Sequence, residues 1–266
     1  PTRLACAAML GALALAPGAV PIARGQSAAN DTSTTVFDVS GVHVILRRNT
    51  ANDVVAANLY LIGGDQQVTP QTAGIEPFLL WVSERGTKHY SRDVLRAKMA
   101  ALGSSIVVEP RDDWTMFGFR GVRDTFDSTW AIFADRLIAP TLAPTDVEFI
   151  RAQVLSAVKQ RNDSPDDLVQ GLADSLLFAG QPYAIPVAGS EQSLASITPA
   201  DLQKYRATQM VTSRMLLVVV GTVLGVGDWP YDDATLYGRA WKSFSANSSV
   251  GLALRNTPRV APLIVL

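Results

Sequence analysis

Hydrolysis at a metal ion or at an activated nucleophile needs a few side chains of the right type at one point, and this sequence is sparing with them. The only histidines are His43 and His89, which lie 46 positions apart (89 − 43). A helical zinc site takes two imidazoles from one face and sets a water-activating glutamate beside the metal. His43 falls in a stretch of strand character and His89 follows a helical one, so the pair cannot build such a site, and each reads as a surface or edge histidine. The single cysteine is Cys6, placed in a leader-like segment, so a cysteine nucleophile or thiolate ligand is lost if that segment is removed. No serine sits in a G-x-S-x-G elbow. The glycine run Gly221, Gly225 and Gly227 follows a strand but lacks a P-loop lysine and G-x-G-x-x-G spacing. The carboxylate pairs Asp112–Asp113 and Asp232–Asp233 sit among turn residues and read as solvated loops.

The elements that would position any site follow from spacing and punctuation. Arg3, an apolar run from Leu4 to about Val20, and the small residues Ala23-Arg24-Gly25 and Ser27-Ala28-Ala29 have the pattern of a secretory signal over 1–29. Gly11, Pro17 and Gly18 interrupt a run already short for spanning a bilayer, so stable membrane insertion is not expected, and Cys6 lies too early to be a lipidation site. Residues 29–35 read as a linker, and the ordered domain is expected over 36–223. Strands are predicted over 42–48 and 54–62, with a hairpin of 105–109 and 114–121. Helices are predicted over about 71–84, 91–102, 125–137, 146–160, 164 onward and 199–210, and 215–221 is short enough for a buried strand. Val147, Ile150, Val154, Leu155 and Val158 recur at helical spacing, while Phe117, Phe119 and the tryptophans suit a core or interface. The fold class this gives is α+β, an antiparallel-rich sheet covered by helices on one face. Residues 224–266 are weakly patterned, end on an apolar run, and read as an irregular, truncated tail.

The 266 residues suffice for one sizeable core without a disulfide or metal staple. With 48% hydrophobic and 18% charged residues and a net charge of -1, no basic face for nucleic acid is implied.

Five blocks in order carry a family resemblance. Gly74-Ile75-Glu76-Pro77-Phe78-Leu79-Leu80-Trp81, followed by Glu84-Arg85-Gly86-Thr87-Lys88-His89-Tyr90, resembles the H-x-x-E-H helix and following segment of the insulinase/pitrilysin metallopeptidases, the inverted zincins. Gly41 to Arg47 resembles that family's opening strand, and Ala101-Leu102-Gly103-Ser104 its small-residue turn. Pro182-Tyr183, then Gly189 and Ser190, then Ser193-Leu194 and Ile197-Thr198, resemble its later segment. The likeness spans about 36–223, one of the two halves that family members usually carry.

The departures bear on function. Under the resemblance the first zinc histidine falls on Pro77, the catalytic glutamate on Leu80, the second histidine on Trp81, and the third ligand at or beside Ala157. None of these side chains can hold a metal, so no catalytic residue, cofactor or metal ligand is expected. Trp81 is expected to pack into room left by Ala157. The resemblance implies a degenerate, zinc-less, exported bacterial member, placed in the periplasm. It would pair as a non-catalytic subunit with a zinc-bearing subunit and share that subunit's peptide substrate in proteolysis. A purely structural member and a truncated fragment of a larger peptidase-like protein are the other readings.

Overall fold

The computed structural model describes residues 33–222 apart from residue 40. The expected signal over 1–29 and the tail over 224–266, with Cys6, Gly225, Gly227 and Asp232–Asp233, lie outside the described residues. Six strands form one sheet: β1 (Thr34–Val39), β2 (Val42–Arg48), β3 (Val54–Ile62), β4 (Ser105–Pro110), β5 (Trp114–Val122) and β6 (Met215–Gly221). Their order across the sheet is β1-β2-β6-β3-β5-β4. Every pairing is antiparallel except β2 with β6.

The central place of β6 follows from its sequence, Met-Leu-Leu-Val-Val-Val-Gly, in which no side chain is polar. Such a run suits a strand with neighbours on both sides. Alternate residues of β2 and β6 are buried, while those between are mostly half-exposed. One face of the sheet thus carries the core.

Seven helices lie among the described residues, of which the first and third make the principal contacts with the sheet. They are α1 (Ile75–Val82), α2 (Arg92–Leu102), α3 (Phe126–Ile138), α4 (Pro144–Asp163), α5 (Pro165–Leu177), α6 (Glu191–Ser196) and α7 (Pro199–Gln209). Phe117 of β5 stacks on Phe133 of α3 with ring centroids 4.6 Å apart, and Phe119 meets Phe126, Trp130 and Phe133. The α4 stripe is buried at Val147, Ile150, Val154 and Val158, with Leu155 half-buried at its edge.

Several boundaries differ from the sequence reading for local reasons. β1 occupies residues expected to be linker, because polar Thr34 and Thr35 pair with Arg47 and Leu46 at the sheet edge. Helix α1 begins at Ile75 rather than near 71, since Gly74 adopts φ 79 and the chain before it is a turn closed by Thr69 and Thr72. Ser91 stands at the N-cap of α2 without a capping bond from its side chain. Ser164 accepts from the Asp167 amide at 3.5 Å and caps α5. The short α6 was not anticipated; it is set by a capping box between Ser190 and Ser193.

Candidate functional site

Helix α1 is buried along almost its whole length, so its direction is fixed from several sides. At its start, a side chain on Gly74 would meet the Ala188 carbonyl at 2.8 Å, and one on Gly189 would meet the Ala73 carbonyl at 2.9 Å. Two glycines with positive φ therefore let the loop before α6 close against the helix N-terminus. The Ser193 hydroxyl donates to the Ala73 carbonyl at 2.9 Å and fastens the same junction.

Buried charge holds the rest of the helix. Glu76 accepts from the Tyr205 hydroxyl at 2.8 Å and from Arg214 at 2.9 Å, which joins α1 to α7 and to the approach of β6. Burial, with Glu76 close by, raises the Tyr205 hydroxyl above its usual range. At the other end, Arg136 of α3 donates to the Leu80 carbonyl at 3.2 Å and to the Ser83 hydroxyl at 3.1 Å. Burial pushes this guanidinium down to about 10, with Glu84 acting in the opposite direction. The Leu80 carbonyl also accepts from the Ser83 hydroxyl at 2.6 Å, so the cation joins an existing bond at a helix C-terminus, where positive charge is favoured.

α4 is tied to α1 and to its surroundings by arginines. Arg85 pairs with Asp146 at 3.1 Å and lies over the Phe149 ring. Arg151 donates to the carbonyls of Leu194 and Ile197 and lies over the Phe78 ring. Between α1 and α4 the chain leaves an open cleft of about 420 Å³, whose walls include Trp81, Glu84, Gln153, Val154, Ala157 and Arg161. Arg161 donates to the Gly189 carbonyl at 3.3 Å.

Of the four positions singled out in the sequence, the structure brings Trp81 and Ala157 to this one cleft. Pro77 and Leu80 are buried and are not among its lining residues. Trp81 and Ala157 both face this mostly apolar hollow, with Trp81 half-buried and packed against the core.

The histidines do not meet there. His43 Nδ1 lies 3.1 Å from Asp38 on the exposed β1–β2 edge, and His89 Nδ1 lies 2.7 Å from Asp135 of α3. Asp112 and Asp113 form the exposed β4–β5 turn, as expected, yet they face a buried carboxyl, Asp65, which the sequence reading did not notice. It also missed Glu76, Arg136, Tyr205 and Arg214 as a framework. The available signal was charge inside apolar helical runs, Glu76 alone in Ile-Glu-Pro-Phe-Leu-Leu and Arg136 beside Asp135 in Phe-Ala-Asp-Arg-Leu-Ile.

The fold and the blocks around α1 define a class of protein. The chain belongs to the insulinase family (peptidase family M16), whose family model matches residues 43–191. Among curated relatives, it is 22% identical over 184 residues to the uncharacterized zinc protease YmxG of Bacillus subtilis, covering 69% of this chain and 45% of that protein. It is 21% identical to the β subunit of the mitochondrial-processing peptidase of Caenorhabditis elegans, covering 67% and 39%. Among solved structures, the peptidase M16 inactive domain from Pseudomonas fluorescens matches with TM-score 0.67 at 17% identity, over 86% of this chain and 52% of that one. The periplasmic protease PqqL from Escherichia coli matches with TM-score 0.66 at 16% identity, over 82% and 24%. This chain thus spans about half the length, or less, of these relatives.

The family implies zinc, and the donor set of the cleft does not fit it. Zinc takes thiolate, imidazole or carboxylate ligands at roughly 2.0–2.3 Å. Of the cleft walls only Glu84 offers such a group, and no three His, Cys, Asp or Glu side chains converge anywhere among the described residues. No step through a metal is derived for this chain. What the cleft can do is cover an apolar group between Trp81 and Ala157.

Proposed function

We propose that this chain is a non-catalytic member of the insulinase family that pairs with a zinc-bearing subunit and supplies a wall of the chamber in which that subunit cleaves peptides. The observation that carries the reading is the exchange of donors for carbon at one site. Pro77, Leu80, Trp81 and Ala157 stand where the family's ligands and base are expected, and an arginine, Arg136, braces the end of the same helix. The framework around α1 is retained without the chemistry it would position, which supports a scaffolding role. The Pseudomonas fluorescens neighbour is described as an inactive domain and the Caenorhabditis elegans relative as one subunit of a peptidase, which agrees with this division of labour.

Export to the periplasm belongs to the same reading. It rests on the leader pattern over 1–29 and on the likeness to a periplasmic protease. No helix among the described residues is long and apolar enough to cross a membrane. The half-length match also favours a second reading, in which this polypeptide is one half of a longer peptidase-like protein.

Co-expression with a family member that keeps an intact H-x-x-E-H helix tests the proposal, with peptide cleavage measured in the presence and absence of this chain. Cleavage is expected only when both are present. Chelator-sensitive hydrolysis by this chain alone contradicts the proposal, as does full activity of every such member without it.

A further inference from the structure

The cleft between α1 and α4 carries a charge that the surrounding framework does not use. Along α4, Gln153, Ala157 and Arg161 recur every four residues and line one wall, spaced by about 6 Å along the helix axis. Ala157 thus leaves an apolar floor with a neutral amide at one end and a guanidinium at the other. The volume of about 420 Å³ lies within the range of small-molecule pockets, roughly 300–1,000 Å³.

Arg161 gives this hollow a sign. The other arginines around α4 are engaged: Arg85 pairs with Asp146, Arg151 with Glu148, and Arg136 with the Leu80 carbonyl and the Ser83 hydroxyl. Half-buried Arg161 makes one long bond, to the Gly189 carbonyl at 3.3 Å. Among the described residues it forms no ion pair. A guanidinium presents five N–H donors in a planar fork that matches a carboxylate, so most of its donors are left for a ligand. The bond to Gly189 also fixes where the cation stands, because Ala188, the neighbour of that glycine, is itself a wall of the cleft. Glu84, the acid among the lining residues, is exposed on the α1 side and lies in the field of Arg136. It turns an anion away from that wall and toward α4.

We propose that this cleft binds an apolar group that ends in a carboxylate, its body over Ala157 beside Trp81 and its anion on Arg161. Such a group is the C-terminal residue of a peptide with an apolar side chain, or a free alkyl acid. The inference deepens the non-catalytic role proposed above and rests on that reading in one respect, that no metal occupies the cleft.

Calorimetric titration of the full chain with N-acetyl-leucine, N-acetyl-leucinamide and octanoate tests it. Saturable binding of one acid per chain is expected, with the amide at least tenfold weaker. Arg161→Gln is expected to weaken the acids at least tenfold and leave the amide unchanged, since glutamine can still donate to the Gly189 carbonyl. Ala157→Phe, which fills the floor, is expected to remove the binding of both acids. Thermal melts establish that the two variants fold, and the comparison of acid with amide on the wild type decides the matter without them. Preference for N-acetyl-leucine assigns the source to peptide ends and preference for octanoate to free acids, and either upholds the proposal. Equal binding of acid and amide overturns it, as does the absence of binding by either acid or an Arg161→Gln variant that binds like the wild type. Acid binding abolished by a chelator overturns the non-catalytic reading as well, whereas a zinc-free chain that binds no acid leaves that reading standing.

Discussion

Glu76 illustrates how a single residue carries the geometry of the site without taking part in chemistry. It sits in the first turn of α1, where a carboxylate is favoured by the helix dipole, and its side chain is almost fully buried beside Arg214 and Tyr205. Removing one partner of a buried pair leaves the other charge uncompensated, which costs about 3–5 kcal/mol. Glu76→Ala is therefore expected to lower stability by that order in urea unfolding. Glu76→Gln should lose less, since an amide oxygen can still accept from Tyr205 and Arg214. Equal losses in the two variants would contradict this rescue and show that the charge, which the amide lacks, carries the network. The same reasoning explains why Pro77 is tolerated: it lies in the first turn of α1, where a backbone N–H has no helical partner to lose.

Between elements, the junction of β3, the β4–β5 turn and the segment around Tyr183 is a clasp built around a carboxyl. Asp65 is 2% exposed, its amide donates to the Asp112 carbonyl at 2.8 Å, and Tyr183 donates to the Asp113 carboxylate at 2.7 Å. Desolvation, followed by the charges of Asp112 and Asp113, pushes the Asp65 carboxyl from 3.8 up to about 7. Arg111, the nearest cation in the turn, is engaged with Glu109. The folded chain therefore binds this proton more tightly than the unfolded chain does. The stabilisation is complete below about pH 4 and is lost as pH rises through 7. The melting temperature is expected to fall between pH 5 and pH 8 more steeply for the wild type than for Asp65→Asn. Parallel pH profiles for the two proteins would contradict the clasp.

This scale also separates what the sequence made legible from what it did not. The β4–β5 hairpin, α3, α4 and the central strand β6 were readable because apolar period and turn residues agreed along each segment. β1 was not, because an edge strand half open to solvent is polar and lacks the alternation that marks a covered one. Pro77, Leu80 and Trp81 were readable as residue types at the positions where the resemblance expects donors. The cleft behind them was not, since whether an indole reaches a methyl depends on how α4 is held, and that is set by Arg85, Arg151 and Arg161 reaching carbonyls and carboxylates far along the chain. Asp65 was equally hidden, because its burial comes from the turn at Asp112, nearly fifty residues on.

For the molecule as a whole, the insulinase-family fold carries, at the helix where the resemblance expects zinc ligands, the side chains Pro77, Leu80 and Trp81. The central claim is that the framework no longer grips a divalent ion. The most direct measurement is the metal content of the purified chain after incubation with zinc and desalting, read by elemental mass spectrometry beside an intact H-x-x-E-H relative. The account predicts well under one zinc per chain here, unchanged by chelator, against a stoichiometric ion in the relative. One tightly held zinc per chain, removed by chelator and shown by cross-peak shifts to sit at residues 74–86, would contradict it.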